Sequence, residues 1–484
     1  MQLTNLLNEV NIIEKSGNLD IEITSIEYDS RKVKEGSVFV AIEGFSTDGH
    51  KYIESAIKNG AKAVVMQKKC ECSVPYIVAQ DTRKALSSIA NAFYDYPTKK
   101  LNLIGVTGTN GKTTVTYLVK SVLEYAGHKV GLIGTNQNMI GDKVLETERT
   151  TPESLELCQL FNDMVNEGCT YAIMEVSSHS LALDRVYGFE FLLGAFTNLT
   201  QDHLDFHKTM DEYAKAKSIL FSMCKKGIVN ADDAWVDKII ENATSKIIKY
   251  SVKKKSTVYA QSIKYNSRGV TFDVDTPFGK EKIRLDIPGE FSVYNALCAI
   301  GICQGIGIGI SDIAKALLLA KGVKGRAEVV NIPTNYTVMI DYAHTPDGLE
   351  NIISTVKGFA KGRVVTVFGC GGDRDNTKRP KMGKIAGDLS DFCVVTSDNP
   401  RSENPDKIIE DILEGMKDVK APYVTIPSRY DAIKYAMENA KEGDVIILAG
   451  KGHETYQILN TGTIEFDERK IVKEILSQIN QKGW

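Results

Sequence analysis

Gly105-Val106-Thr107-Gly108-Thr109-Asn110-Gly111-Lys112-Thr113-Thr114 sets small and hydroxyl residues ahead of a single lysine. The backbone N–H groups of such a turn, with a helix N-terminus behind them, can surround a phosphate. Lys112 offers a charge for the outer phosphates, and Thr113 or Thr114 offers a hydroxyl for magnesium. The common phosphate loop has glycine five residues before its Gly-Lys pair, where this chain has Val106. That departure points to a narrower group of nucleotide-binding loops.

Other chemically able residues gather after apolar runs. Glu175, Ser177 and His179 follow Tyr171 to Val176, and Asn198, Asp202 and His203 follow Phe191 to Thr197. Later come Asp341-Tyr342-Ala343-His344, Gly369-Cys370-Gly371-Gly372-Asp373-Arg374, Ser397-Asp398-Asn399-Pro400-Arg401 and Gly450-Lys451-Gly452-His453-Glu454. Each follows a short apolar strand, so together they form a second polar binding face.

The positioning elements are legible too. Leu101 to Val106 reads as a buried strand, and Val115, Leu118, Val119, Val122 and Leu123 recur at helical spacing. From Leu101 onward strands and helices alternate, which predicts a parallel sheet covered on both faces. Ligands in open α/β sheets gather at the C-terminal strand edge. The first hundred residues mix short strands and turns: Ile21 to Tyr28 alternates, Ser37 to Ile42 is apolar, and Tyr52 to Asn59 reads as a helix. Tyr96-Pro97-Thr98-Lys99-Lys100 breaks the pattern, and a third block begins after Gly325-Arg326. The expected class is α/β in three domains: 1–99, small and mixed; 100–326, built on the parallel sheet; and 327–484.

With 484 residues, 25% of them charged and 43% hydrophobic, the chain reads as soluble and too long for one core. A net charge of −3 gives no electrostatic case for nucleic acid or an acidic membrane. Lys253-Lys254-Lys255 reads as a solvated edge. The N-terminus has no basic segment followed by an apolar one, and Ala299 to Ile310 is too short to span a bilayer. Nine cysteines without a Cys-x-x-Cys pair fit a reduced cytoplasm, with Cys158, Cys298, Cys303 and Cys393 as small core residues.

Gly-Thr-Asn-Gly-Lys-Thr-Thr resembles the loop of Mur ligases and folylpolyglutamate synthases. Asp29-Ser30-Arg31, Thr150-Thr151-Pro152, Glu175-Val176-Ser177-Ser178-His179, Asp202-His203-Leu204-Asp205, Tyr294-Asn295-Ala296 and Gly325-Arg326 extend the likeness nearly end to end. Their joint order resembles the Mur ligases, and within them the diaminopimelate-adding branch. The resemblance implies a UDP-substrate domain, a P-loop-type ATPase domain and a Rossmann-like amino-acid domain. It implies ATP, magnesium and a carbamate on Lys217, in a monomer. It also implies two small-molecule substrates, UDP-N-acetylmuramoyl-L-alanyl-D-glutamate and meso-diaminopimelate.

Carried over residue by residue, the resemblance puts ATP on Gly108 to Thr114, Asn295, Arg326 and Asp341. It puts magnesium on Thr113, Glu175, His203 and carbamylated Lys217, with Lys112, Lys217 and His203 as catalytic groups. The Leu220-Phe221 pair sets the register for Lys217 rather than Lys215. The nucleotide peptide falls to Ser30, Thr150, Thr151, Ser177 and Arg185, with Leu183 where some relatives have glutamine. Diaminopimelate falls to Arg374, Asp398, Asn399, Pro400, Arg401, Gly450 and Glu454. Lysine-adding members lack the arginine of Asp-Asn-Pro-Arg.

Three readings compete. A dinucleotide oxidoreductase needs G-x-G-x-x-G, which Gly108-Thr109-Asn110-Gly111 is not. A non-catalytic nucleotide-binding module leaves the four late loops unexplained. Folylpolyglutamate synthase shares the ATP loop but is not expected to carry Asp398-Asn399-Pro400-Arg401 or the Asp29-Ser30-Arg31 block.

Overall fold

The computed structural model describes residues 1–44, 47–147, 149–266, 269–320 and 322–482. Three larger sheets organise it. The first runs in the order Ile12–Ser16, Tyr76–Ala79, Ala61–Met66, Ser37–Val40, Ser25–Glu27. It is parallel except where Ile12–Ser16 pairs with Tyr76–Ala79.

The central sheet has eleven strands. Asn102–Thr107 lies in its middle, parallel to both Phe191–Phe196 and Tyr171–Glu175. The loops leaving these three strands therefore open at one edge, at the point where chain order reverses. The parallel strands that the sequence predicts form the body of the sheet, and antiparallel strands extend both ends. Val258–Asn266, Gly269–Thr276 and Gly279–Leu285 form an antiparallel meander at one end. Asn138–Ile140 and Lys143–Leu145 add an antiparallel hairpin at the other.

The third sheet runs Glu328–Val329, Thr337–Asp341, Val445–Ala449, Val364–Phe368, Phe392–Val395, Tyr423–Thr425. The divisions proposed at 99/100 and 326/327 fall between the sheets. Val364–Phe368 and Val445–Ala449 are buried along their whole length, as strands covered on both faces must be. Apolar cores lie on each face of this sheet. On one side of the central sheet, helices Lys112–Tyr125, Glu290–Gly305 and Ile310–Leu319 bury Val119, Leu297 and Leu317 completely. Each such side chain contributes ~1.5–3 kcal/mol of burial. On the other side, Phe161 and Leu220 share one core with Leu86 and Ile89 of the first domain, which ties those two units together.

Bonds between blocks bring the late loops to the phosphate loop. Asn110 Nδ2 donates to Asp347 Oδ2 at 2.6 Å, and Gln201 Nε2 to Thr377 Oγ1 at 3.1 Å. All nine cysteines are free, and Cys158, Cys298, Cys303 and Cys393 are buried. Among the described residues, no helix is long and apolar enough to cross a membrane.

Candidate active site

The helix Lys112–Tyr125 begins at Gly111, whose φ of 87° no β-carbon residue adopts easily. A β-carbon there would stand 2.5 Å from Asn295 Oδ1, so the same glycine lets Asn295 pack against the loop. Asn198 shapes the turn: its carbonyl accepts the Thr109 N–H at 2.8 Å and its Oδ1 the Asn110 N–H at 2.9 Å. The donors left for an anion are those of the first helical turn, from Gly111 onward.

A cavity of about 370 Å³ opens there, lined by Asn110, Gly111, Thr113, Thr114, Asn295 and Arg326, among others. Gly108, Thr109 and Lys112 do not line it. Thr109 Oγ1 instead bonds Thr200 O and the Tyr213 hydroxyl, both at 3.2 Å. Lys112 folds back, donating from Nζ to Gly108 O at 3.0 Å and Thr109 O at 2.8 Å. Arg326, the last residue before the third block, reaches in with Nη2 3.2 Å from Thr113 Oγ1 and its guanidinium 4.8 Å from the Tyr342 ring centre. Asp341 also lines the cavity, but both its oxygens already accept backbone N–H groups, from Ala343 at 2.8 Å and Ala327 at 2.7 Å. It pins the inter-block segment as well as facing the nucleotide space.

Glu175 ends the neighbouring strand and is buried. Its Oε1 accepts from Thr113 Oγ1 and Thr135 N–H, both at 2.9 Å, and its Oε2 from Thr135 Oγ1 at 2.9 Å. A hydroxyl against a carboxylate beside a phosphate cradle is a hard-oxygen pair of the kind magnesium takes. Among the described residues, no three His, Cys, Asp or Glu side chains converge to hold a metal by themselves. Phosphate oxygens would have to complete such a site.

His203 sits with left-handed backbone, φ 55°, and Nε2 3.4 Å from Asp202 Oδ2. Burial holds its ring neutral, with a pKa well below that of a free histidine. Lys217 lies on the helix Met210–Ser222, 1% exposed, with Nζ 2.9 Å from Gly108 O and 4.5 Å from the Tyr213 ring centre. Burial, and after it the charge of Lys112, push its amine well below the usual lysine range. Lys215 on the same helix is exposed.

A larger cavity, about 1380 Å³, separates the first and central sheets, and Ser30 lines it with Tyr28, Arg31, Arg83 and Arg149. Thr150, Thr151, Ser177 and Arg185 build the wall beside it rather than the lining given by Pro152 and Glu153. Thr151 Oγ1 donates to Glu175 O at 2.8 Å and accepts the Ser177 N–H at 3.1 Å. Thr150 Oγ1 meets Thr135 Oγ1 at 3.0 Å. Arg185 Nη1 donates to Thr151 O at 3.0 Å, and its Nε lies 2.8 Å from Glu153 Oε1.

The late loops bring Asp398, Asn399, Pro400, Arg401, Gly450 and Glu454 together. Asn399 Nδ2 donates to Glu454 Oε2 at 2.9 Å. Gly450, φ 113°, is pressed against Asp398 so closely that a β-carbon would stand 2.3 Å from its Oδ2. Arg401, also left-handed at φ 53°, donates from Nη1 to Gly372 O at 2.8 Å. Its Nε and Nη2 make no hydrogen bond among the described residues, so one edge of the guanidinium is open to a carboxylate. Arg374 stays exposed at the rim, donating from Nη1 to Asp373 O at 2.9 Å.

The sequence places Asn198 and Lys451 in chemically able loops without giving either a role of its own, and it does not single out Thr135 or Asp347. Position at the shared strand edge was the available signal for Asn198 and Thr135. Asp347, beside the Thr345 cap of helix Pro346–Lys357, carried no such signal.

Three family descriptions match the chain: Mur ligase family, catalytic domain, at 22–94; Mur ligase middle domain at 106–303; and Mur ligase, glutamate ligase domain, at 325–452. A protein of Caldanaerobacter subterraneus named UDP-N-acetylmuramoyl-L-alanyl-D-glutamate–2,6-diaminopimelate ligase is 53% identical, over 99% of both chains. One of the same name from Clostridium botulinum is 52% identical, over 95% of this chain and 96% of its own. A solved structure of a protein with that name is 30% identical, covers 99% of both chains and superposes with a TM-score of 0.71. The chain belongs to the Mur ligase family.

Proposed function

We propose that the chain joins meso-2,6-diaminopimelate to UDP-N-acetylmuramoyl-L-alanyl-D-glutamate at the expense of ATP, in peptidoglycan precursor synthesis. The full-length likeness to ligases of that name, at 52 and 53% identity, carries this reading. In the reaction a D-glutamyl carboxylate oxygen attacks the γ-phosphorus of ATP and ADP leaves. An amine of diaminopimelate then attacks the acyl carbon, and the tetrahedral intermediate expels phosphate.

Phosphoryl transfer needs alignment and charge neutralisation more than covalent help. The first-turn N–H groups after Gly111 face the phosphates, and Lys112 can swing from Gly108 O and Thr109 O to the outer ones. Thr113, Glu175, His203 and a carbamate on Lys217 would hold magnesium, which neutralises phosphate charge when bound. Lys217 as an amine would repel a cation, whereas its carbamate, formed from CO2 with loss of a proton, is an anion. The low-lying amine of Lys217 supports that reading. Asn295, Arg326 and Asp341 would receive the nucleoside and outer phosphates. Ser30, Thr150, Thr151, Ser177 and Arg185 would receive the nucleotide peptide. The ligase would work as a cytoplasmic monomer, where ATP and reduced cysteines coexist.

Mass spectrometry of the reaction product tests this. A single new species, the nucleotide dipeptide plus one diaminopimelate less one water, formed only with ATP, is expected. ATP hydrolysis without that species overturns the reading.

A further inference from the structure

Lys451 has a fully buried side chain, 0% exposed, and its hydrogen-bond and ion-pair partners among the described residues are all groups assigned above to the amino-acid site. Its Nζ donates to Asn399 Oδ1 and Glu454 Oε2, both at 3.0 Å, and lies 3.8 Å from Asp398 Oδ1. A buried ammonium is tolerated only when paired and hydrogen-bonded, so these acceptors are held as firmly as they hold it.

The bonds also fix which way each partner faces. Asn399 Oδ1 accepts the Ile458 N–H at 3.0 Å as well as Lys451, so its NH2 must turn toward Glu454 Oε2, 2.9 Å away. Two donors thus converge on Oε2. Oε1 of Glu454 makes no hydrogen bond among the described residues, and the Glu454 carboxylate lies near enough to the Arg401 guanidinium for their charges to interact. An acceptor and a cation in one loop cluster match a zwitterionic amino-acid end, with ammonium and carboxylate on one carbon.

We infer that Lys451 is a positioning residue for that end of the incoming diamino acid. It holds Glu454 so that Oε1 receives the ammonium while Arg401 receives the carboxylate, and it touches no substrate itself. The inference rests on the ligase reading above.

Steady-state constants for all three substrates test it. In Lys451→Met the KM for meso-diaminopimelate should rise at least about tenfold, with the KM values for ATP and nucleotide peptide within about threefold of wild type. Glu454→Gln should raise the same KM. Adding Lys451→Met to it should change that KM by less than about twofold, because the lysine acts through Glu454. The double variant removes both members of the Lys451–Glu454 pair together, so it is readable even where Lys451→Met alone unfolds. Uniform changes in all three KM values, independent multiplicative effects in the double variant, or an unchanged Lys451→Met overturn the inference. A wild-type enzyme that ligates no diaminopimelate overturns the ligase reading, and this one with it.

Discussion

Lys112 and Lys217 donate to the same acceptor, the carbonyl of Gly108, at 3.0 and 2.9 Å. Two unit charges ~4 Å apart cost ~4 kcal/mol at an effective dielectric of ~20, so one carbonyl is a poor home for two ammonium groups. Burial and the Lys112 charge together favour a neutral Lys217. A neutral amine is the form that adds to CO2, and the carbamate it gives would attract Lys112 rather than repel it.

Lys217→Ala is therefore expected to lose nearly all turnover, and short carboxylates should restore part of it by standing in for the carbamate oxygens. Rates measured with and without added acetate or formate check this. Full activity in the alanine variant would show that Lys217 has no such role.

Lys112→Ala should abolish ligation and leave the thermal transition close to wild type, since Lys112 bonds only carbonyls of its own loop. Turnover by product release and melting by calorimetry give the two readouts. Near-normal turnover would contradict the loop assignment.

Arg401→Ala should erase most discrimination between meso-diaminopimelate and L-lysine, which lacks the far carboxylate. An arginine–carboxylate pair in a closed site is worth roughly 2–4 kcal/mol, about thirty- to thousand-fold in selectivity. The ratio of kcat/KM for the two amino acids, in wild type and variant, measures it. A ratio unchanged by the substitution would move the recognition elsewhere.

His453 gives a pH dependence of stability. Burial first, then the charges of Arg326 and Arg469, press its ring down to about 3. An unfolded chain binds this proton near pH 6.5 and the folded one does not, so its contribution is full above pH 6.5 and declines as pH falls toward 3. Between pH 6.5 and 4.5 the wild type should lose stability more steeply than His453→Gln. The difference should stay below the ~1.4 kcal/mol per pH unit of one whole proton. Denaturant midpoints across that range check it, and parallel slopes would contradict it.

The sequence was most readable where local pattern and local chemistry coincide. Val364–Phe368 is an apolar run ended by a glycine-rich loop, and the strand in the structure has the bounds its composition predicts. The phosphate-loop strand, predicted as Leu101 to Val106, forms as Asn102–Thr107. The meander from Val258 to Leu285 was missed although Gly269–Thr276 alternates between buried and exposed side chains, because it carries no site residue to draw attention. Contacts such as Asn110 to Asp347 were illegible for another reason. The two residues are 237 positions apart, and only the docking of the third block on the loop brings them to 2.6 Å. Lys451 stood inside a recognised motif, but the full burial of its ammonium depends on the Asp398–Asn399 loop folding over it.

The most direct test of the central claim is the initial rate of ADP formation by the wild-type enzyme with UDP-N-acetylmuramoyl-L-alanyl-D-glutamate and each amino acid at low concentration. The account predicts rapid turnover with meso-diaminopimelate, little with L-lysine, and none when the nucleotide peptide is left out. Equal rates with L-lysine, or ADP formation indifferent to the nucleotide peptide, would contradict it.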